Sequence, residues 1–207
     1  MAKTNNGNTT EDKFESIESA LSRTEQYIEE NQKSLTIIVG AIVGVVLIYF
    51  LFNRFYLKPM EKEAHSQMFT AEKYFEKDSF KLALNGDGNY LGFLDIIDEY
   101  GLSNAANLAH YYAGICYKNM GKYQEAIDYL KKFDSDDKIV ANVALGSIAD
   151  CYAELKDNDK AIKYYQLAAK NVKNDFTSPV YFMRAALLLE EKEINQNNPN
   201  NCTYNYG

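Results

Sequence analysis

A chain of 207 residues with three prolines, no tryptophan, 17 tyrosines and 11 phenylalanines has the makings of helices packed through aromatic rings, which speaks against an all-β fold. Its formal net charge is −7, its isoelectric point is near 5.0, and its lysines are scattered among carboxylates without forming a basic face. Nucleic acid is thereby excluded as the main partner.

Residues 1–10 (MAKTNNGNTT) lack the apolar side chains needed to build structure and are expected to be a disordered leader. Over residues 11–34, Phe14, Ile17, Leu21 and Ile28, with Thr24 filling the gap, recur at steps of three and four. This is the stripe of an acidic amphipathic juxtamembrane helix, too short at two heptads for a coiled coil. Residues 35–52 read LTIIVGAIVGVVLIYFLF without a charge. As a helix they span about 27 Å, close to the bilayer's hydrocarbon thickness of about 30 Å, so a transmembrane helix is expected, with lipid as its surroundings.

A core helix would show polar residues every three or four positions, and none interrupts this run. Tyr49, Phe50, Phe52, Phe55 and Tyr56 cluster beside Arg54 and Lys58, as aromatic and basic residues do where a helix meets headgroups. The polar segment ahead of it and Asn53-Arg54-Phe55 behind it distinguish it from a cleaved signal peptide. Basic residues flank both ends (Arg23 and Lys33 before; Arg54, Lys58 and Lys62 after), so charge counting does not orient it. Gly40-x-x-x-Gly44 offers a small-residue face for a weak homodimer, a modest signal because small residues are common in membrane helices.

Residues 57–191 are expected to form a helical solenoid. YYAGICYKNMGKYQEAIDYL superimposes on GSIADCYAELKDNDKAIKYY at an offset of 35, aligning Gly114 with Ala149, Cys116 with Cys151, Tyr117 with Tyr152 and Ala126 with Ala161. A small residue, an aromatic three on and an alanine nine later is the pattern of the tetratricopeptide repeat, a helix-turn-helix unit of 34 residues. Small Gly114 and Ala126 let the paired helices approach while Tyr117 and Leu130 fill the space beside them. Gly121 ends the first helix. The template extends back to Ala71, Tyr74, Phe80 and Ala83 and forward to Ala186 and Leu189, giving repeats at about 64–106, 107–141 and 142–178 and a half repeat at 179–191. Between the first two the spacing stretches to 43 around NGDGNYLGF, read as a lengthened second helix kinked at its glycines. The Asn-rich residues 192–207 are expected to be disordered.

Catalytic and metal chemistry find little support. Asn85-Gly86-Asp87-Gly88-Asn89 imitates a calcium loop, but position six is Tyr90 and position twelve Ile96 where glycine and glutamate are needed. The glycine spacing does not fit a phosphate cradle either. His65 and His110 sit in no metal motif; His110 occupies a packing position, His65 the groove-facing surface. Cys116 and Cys151, in equivalent positions of stacked repeats, are expected about 8–10 Å apart by helix-axis spacing, beyond disulfide reach; Cys202 lies in the tail. No nucleophile stands beside a base, so no enzyme, cofactor or metal is expected. What remains is the concave groove of the first helices, lined among others by Met68, Phe75, Tyr111, Lys118, Asn119, Asp150 and Glu154, a mixture suited to protein or peptide segments.

The order of parts, an acidic leader, one anchor with an aromatic exit, then LALNGDGNYLGFLDIIDEYG and NLAHYYAGICY, resembles the bacterial membrane-anchored tetratricopeptide-repeat proteins similar to the ancillary subunit of the Sec translocon. The resemblance covers roughly residues 11–190 and departs from the family after Leu189, where further repeat sequence is expected. It implies a single-pass protein of the bacterial inner membrane, N-terminus cytoplasmic and repeats periplasmic. There it would be a scaffold assisting exported proteins between translocon and periplasmic chaperones. A structural adaptor for a fixed envelope complex is the alternative, and a regulatory sensor with cytoplasmic repeats a third.

Overall fold

The computed structural model describes residues 31–171 and 177–197, and the chain divides into two compact units, Met1–Tyr56 and Leu57–Gly207. In the first unit the apolar run forms α1, Gln32–Phe52, opened by the Thr36 hydroxyl donating to the Gln32 carbonyl at 2.8 Å. It starts three residues before the predicted Leu35, so Gln32–Ser34 belong to it and not to the acidic helix predicted over 11–34. Residues 11–30 of that helix, with the 1–10 leader, lie outside the described residues. No side chain of α1 is buried, and it is long and apolar enough to cross a membrane. Side chains built at Gly40 or Gly44 would meet nothing within 4 Å. Phe52 stacks on Tyr56 with ring centroids 5.1 Å apart, and a π-helical turn spans Asn53–Leu57.

The second unit is all helix among the described residues: α2 Lys58–Glu76, α3 Phe80–Asn85, α4 Phe93–Glu99, α5 Asn104–Asn119, α6 Tyr123–Leu130, α7 Lys138–Glu154, α8 Asn158–Asn171 and α9 Ser178–Asn197. The offsets of 43 and 35 are written into its backbone. Asp78, Gly121 and Lys156, one per repeat, take left-handed φ values of 55°, 74° and 62°. The amide of the next residue (Ser79, Lys122, Asp157) then donates to the carbonyl of Tyr74, Tyr117 or Tyr152, each time at 2.9 Å. This is the same left-handed helix cap used three times, and it aims each second helix back along the first. Four residues beyond each capping amide, Ala83, Ala126 and Ala161 are all 0% exposed.

Close approach explains those small residues. A Cβ on Gly114 would lie 2.5 Å from Leu130 Cγ and 3.2 Å from the Ala126 carbonyl, so α5 and α6 cross on the glycine itself. Beside the crossing, Tyr117 stacks on Tyr129 at 5.2 Å and Tyr152 on Tyr164 at 5.4 Å, the same ring pair displaced by 35 residues. Two apolar clusters result. One, within α2–α5, surrounds Met68, Leu84, Phe93, Ile96 and Cys116; the other, within α6–α9, surrounds Ile127, Leu130, Ile148, Tyr165 and Tyr181. Cys116 and Cys151 are buried free thiols.

Two predicted features differ. The insertion is not a lengthened, kinked helix but two helices, α3 and α4, joined by a tight loop. A Cβ on Gly92 would fall 2.3 Å from the Leu84 carbonyl and 2.4 Å from the Gly86 amide, so the chain folds back across itself where only glycine fits. Asp87 fastens the loop: Oδ1 accepts the amides of Asn89 and Tyr90 at 2.9 and 2.8 Å, and Oδ2 accepts the Tyr74 hydroxyl at 2.7 Å. Asp95 accepts the Gly92 amide at 2.9 Å, starting α4. At the other end, α9 continues through Asn197, past the predicted boundary at 191. Lys192, pairing with Asp159 at 2.5 Å, ties this extension to α8. The last ten residues, with Cys202, lie outside the described residues.

Candidate functional site

Helices α2, α5, α7 and α9 are the first helices of successive repeats, and their shared face is the predicted groove. Of the seven residues assigned to it, Met68 is the clear correction: it is 1% exposed and belongs to the apolar cluster that α2 shares with α3, α4 and α5. Phe75 is half-buried, edge-on to Phe80, Phe93 and Tyr112 at 5.9, 6.4 and 5.1 Å. Tyr111 is also half-buried, 5.8 Å from Tyr112 and 5.3 Å from Phe133, and burial raises its phenol pKa. Asn119 and Glu154 are exposed.

Lys118 and Asp150 are brought together. Asp150 Oδ2 accepts Lys118 Nζ at 2.5 Å, while Oδ1 accepts Arg184 Nη1 at 2.5 Å and the Tyr165 hydroxyl at 2.6 Å. One carboxylate, its side chain 23% exposed, thus joins α5, α7, α8 and α9. Tyr165 has its pKa raised by burial and by donating to Asp150; the guanidinium of Arg184 lies 5.9 Å from the centre of its ring. These two charges, predicted as ligand contacts, hold the repeats in register across the groove floor.

Tyr165, Arg184 and Tyr181 escaped the sequence reading. Tyr181 fills the space that Gly146 leaves: a Cβ there would lie 2.3 Å from its Cε1. A signal existed, since Gly146 stands 35 residues beyond bulky Tyr111, and a glycine at such a position invites a ring from elsewhere. Met183 and Leu187, 59% and 57% exposed, extend the groove onto α9. Glu72 sits at its other end, with a pKa raised chiefly by burial.

His65 is exposed and pairs with Glu61 at 2.9 Å. His110 is half-buried against Tyr129, its pKa lowered by burial and then by Lys132. Among the described residues no three His, Cys, Asp or Glu side chains gather as metal ligands would. A cleft of about 420 Å³ lies between the loop after α6, the first half of α7 and Tyr164, and is lined by none of the seven predicted residues.

Comparison with known proteins agrees with this geometry. The tetratricopeptide repeat model matches residues 108–136 and 147–174, so the chain carries repeats of the class that forms protein-interaction scaffolds. It is similar to the protein FLUORESCENT IN BLUE LIGHT, chloroplastic, of Arabidopsis thaliana: 38% identical over 68 residues, which is 30% of this chain and 21% of that protein. The chain therefore covers about a fifth of its relative's length.

Proposed function

We propose that this protein is a membrane-anchored scaffold that takes extended protein segments along the first-helix face of its repeats. The observation that carries the reading is that face itself: exposed Asn119, Glu154, Met183 and Leu187 flank half-buried Phe75 and Tyr111. It offers edge-on aromatic contacts and backbone-reading polar groups together. An apolar helix without one buried side chain suits insertion in a bilayer. The order of parts and the NGDGNYLGFLDIIDEYG segment support the finer reading, a single-pass protein of a bacterial inner membrane with periplasmic repeats serving proteins that leave the Sec channel.

Photocrosslinkers at Asn119 and Glu154 in intact membranes test this, since neither substitution disturbs the Asp150 contacts. Exported chains or translocon subunits should be captured; capture of neither defeats the export reading, and capture of no protein at all defeats the groove. The alternative, a structural adaptor for a fixed envelope complex, draws on the Lys118–Asp150–Arg184 cluster, whose carboxylate is engaged within the chain and not free for transient ligands. A single stoichiometric partner co-purifying with the chain favours it. Protease access in spheroplasts distinguishes both from a sensor with cytoplasmic repeats.

A further inference from the structure

Helix α9 is built like a first helix of a repeat, yet among the described residues no second helix packs on it as one does on every earlier first helix. Displaced by 37 residues, Tyr181, Ala185 and Leu188 of α9 correspond to Ala144, Ile148 and Cys151 of α7, and both sets face the preceding repeat's core. The next stripe around the helix behaves differently. In α7 it comprises Leu145, Ala149 and Tyr152, packed with the core, Ala149 at 0% and Tyr152 at 7% exposure, because α8 lies on it. In α9 the corresponding Phe182 and Leu189 are 46% and 40% exposed, and Ala186 is exposed between them. Among the described residues no helix takes the place that α8 takes for α7.

We infer that this stripe is closed by α9 of a second copy of the chain, the two helices crossing antiparallel at Ala186. Three observations select that occupant. Gly114 meets Ala126 where α5 and α6 cross, the equivalent positions Ala149 and Ala161 are both 0% exposed, and Ala186 supplies a small residue to both sides of a two-fold axis. The stripe is symmetric about it, with a bulky apolar side chain on either side, as an isologous contact requires.

The charges then fix the direction. Glu190, Glu191 and Glu193 fall at the C-terminal end of α9, while its first turn holds no acidic residue. Antiparallel pairing lays each acidic end beside the positive N-terminal end of the other helix. Parallel pairing would set the two acidic ends against each other. The contact uses the face of α9 between the core and the groove, so the proposal stands apart from the groove reading and does not need it.

The test uses the full chain in detergent micelles, with Cys202→Ser to leave only buried thiols and Gly40→Leu to remove the small-residue face of α1. Ala186→Cys should form an intermolecular disulfide under mild oxidation about tenfold faster than Leu187→Cys, whose side chain points to the groove, because disulfides form only where Cα atoms come within about 7 Å. Leu189→Glu added to the Ala186→Cys chain should abolish the crosslink and take the particle from dimer to monomer by light scattering, with the helical circular dichroism retained. The inference is overturned if the chain without Leu189→Glu is monomeric or if Cys at 186 and at 187 crosslink alike. It is overturned too if the stripe is protected from labelling in a monomer, which would assign it to another part of the same chain.

Discussion

Replacing Gly121 by alanine isolates a backbone effect with unusual clarity. The residue sits at φ 74° in the turn between α5 and α6, and a Cβ there would meet nothing within 4 Å, so any cost is conformational and not steric. An L-residue in the left-handed region costs about 1–2 kcal/mol, against which the reduced freedom of the unfolded chain returns about 0.4–1 kcal/mol. Gly121→Ala is therefore expected to lose up to about 1.6 kcal/mol, or up to roughly 6 °C in melting temperature for a chain of this size. Lys156 provides the inverse experiment, since it holds φ 62° in the same turn one repeat later. Lys156→Gly relieves the strain at the expense of unfolded-state freedom and should be neutral or stabilising by up to about 1 kcal/mol. Thermal unfolding of both variants in detergent, read by circular dichroism, measures the pair. A stabilising Gly121→Ala, or a Lys156→Gly that destabilises by more than about 1 kcal/mol, would refute the assignment of one shared left-handed cap to the repeats.

Other perturbations follow from the buried and bridging groups. Asp150→Ala leaves Lys118, Tyr165 and Arg184 without their acceptor and should cost about 2–3 kcal/mol, below the range for a fully buried pair because Arg184 is 45% exposed; a double-mutant cycle with Lys118→Met should show coupling, and additivity would deny the contact. Burial pushes the Cys116 thiol up to about 12 and the Cys151 thiol up to about 11, so at pH 8 iodoacetamide should modify neither until the chain is unfolded. The Tyr165 phenol is harder to ionise in the folded chain than in the unfolded one, so its contribution is complete below about pH 10 and fades as pH rises above that value. Tyr165→Phe should flatten that alkaline decline, and an unchanged slope would count against the burial and the hydrogen bond to Asp150 that together raise it.

The repeat architecture was legible because helix pairing of this kind depends on a few small residues at fixed spacing. Gly114, Ala126 and Ala149 declare the crossings, and the offset of 35 survives translation into backbone geometry. The insertion was harder: periodicity marks Gly86 and Gly92 as breaks, but only the approach of Gly92 to the Leu84 carbonyl decides between a kink and a reversal. Groove positions inherited from a general repeat misplace Met68, since a repeat template does not say that this apolar side chain joins the cluster that α2 shares with α3, α4 and α5. The Asp150 contacts were out of reach in another way. Lys118, Tyr165 and Arg184 are far apart in sequence, and long polar side chains meet according to rotamer and stack geometry that no periodic pattern encodes. At the C-terminal end the Asn-rich composition argued for disorder beyond 191, whereas the helix-favouring run from Glu190 to Glu193 and the Lys192–Asp159 pair carry α9 further.

Stacked repeats ordinarily communicate only with their neighbours, so an end unit can unravel while the middle stays folded. Asp150, in the third repeat, is gripped at once from α5 of the second, α8 of its own and α9 of the half repeat, so two successive junctions meet on one side chain. Releasing α9 takes Arg184 from the carboxylate that Lys118 of the second repeat also grips, so fraying at the end reaches the next junction through Asp150. The final half repeat is thereby enrolled in a single cooperative transition, and amide exchange in α5 and in α9 should respond together when Asp150 is lost.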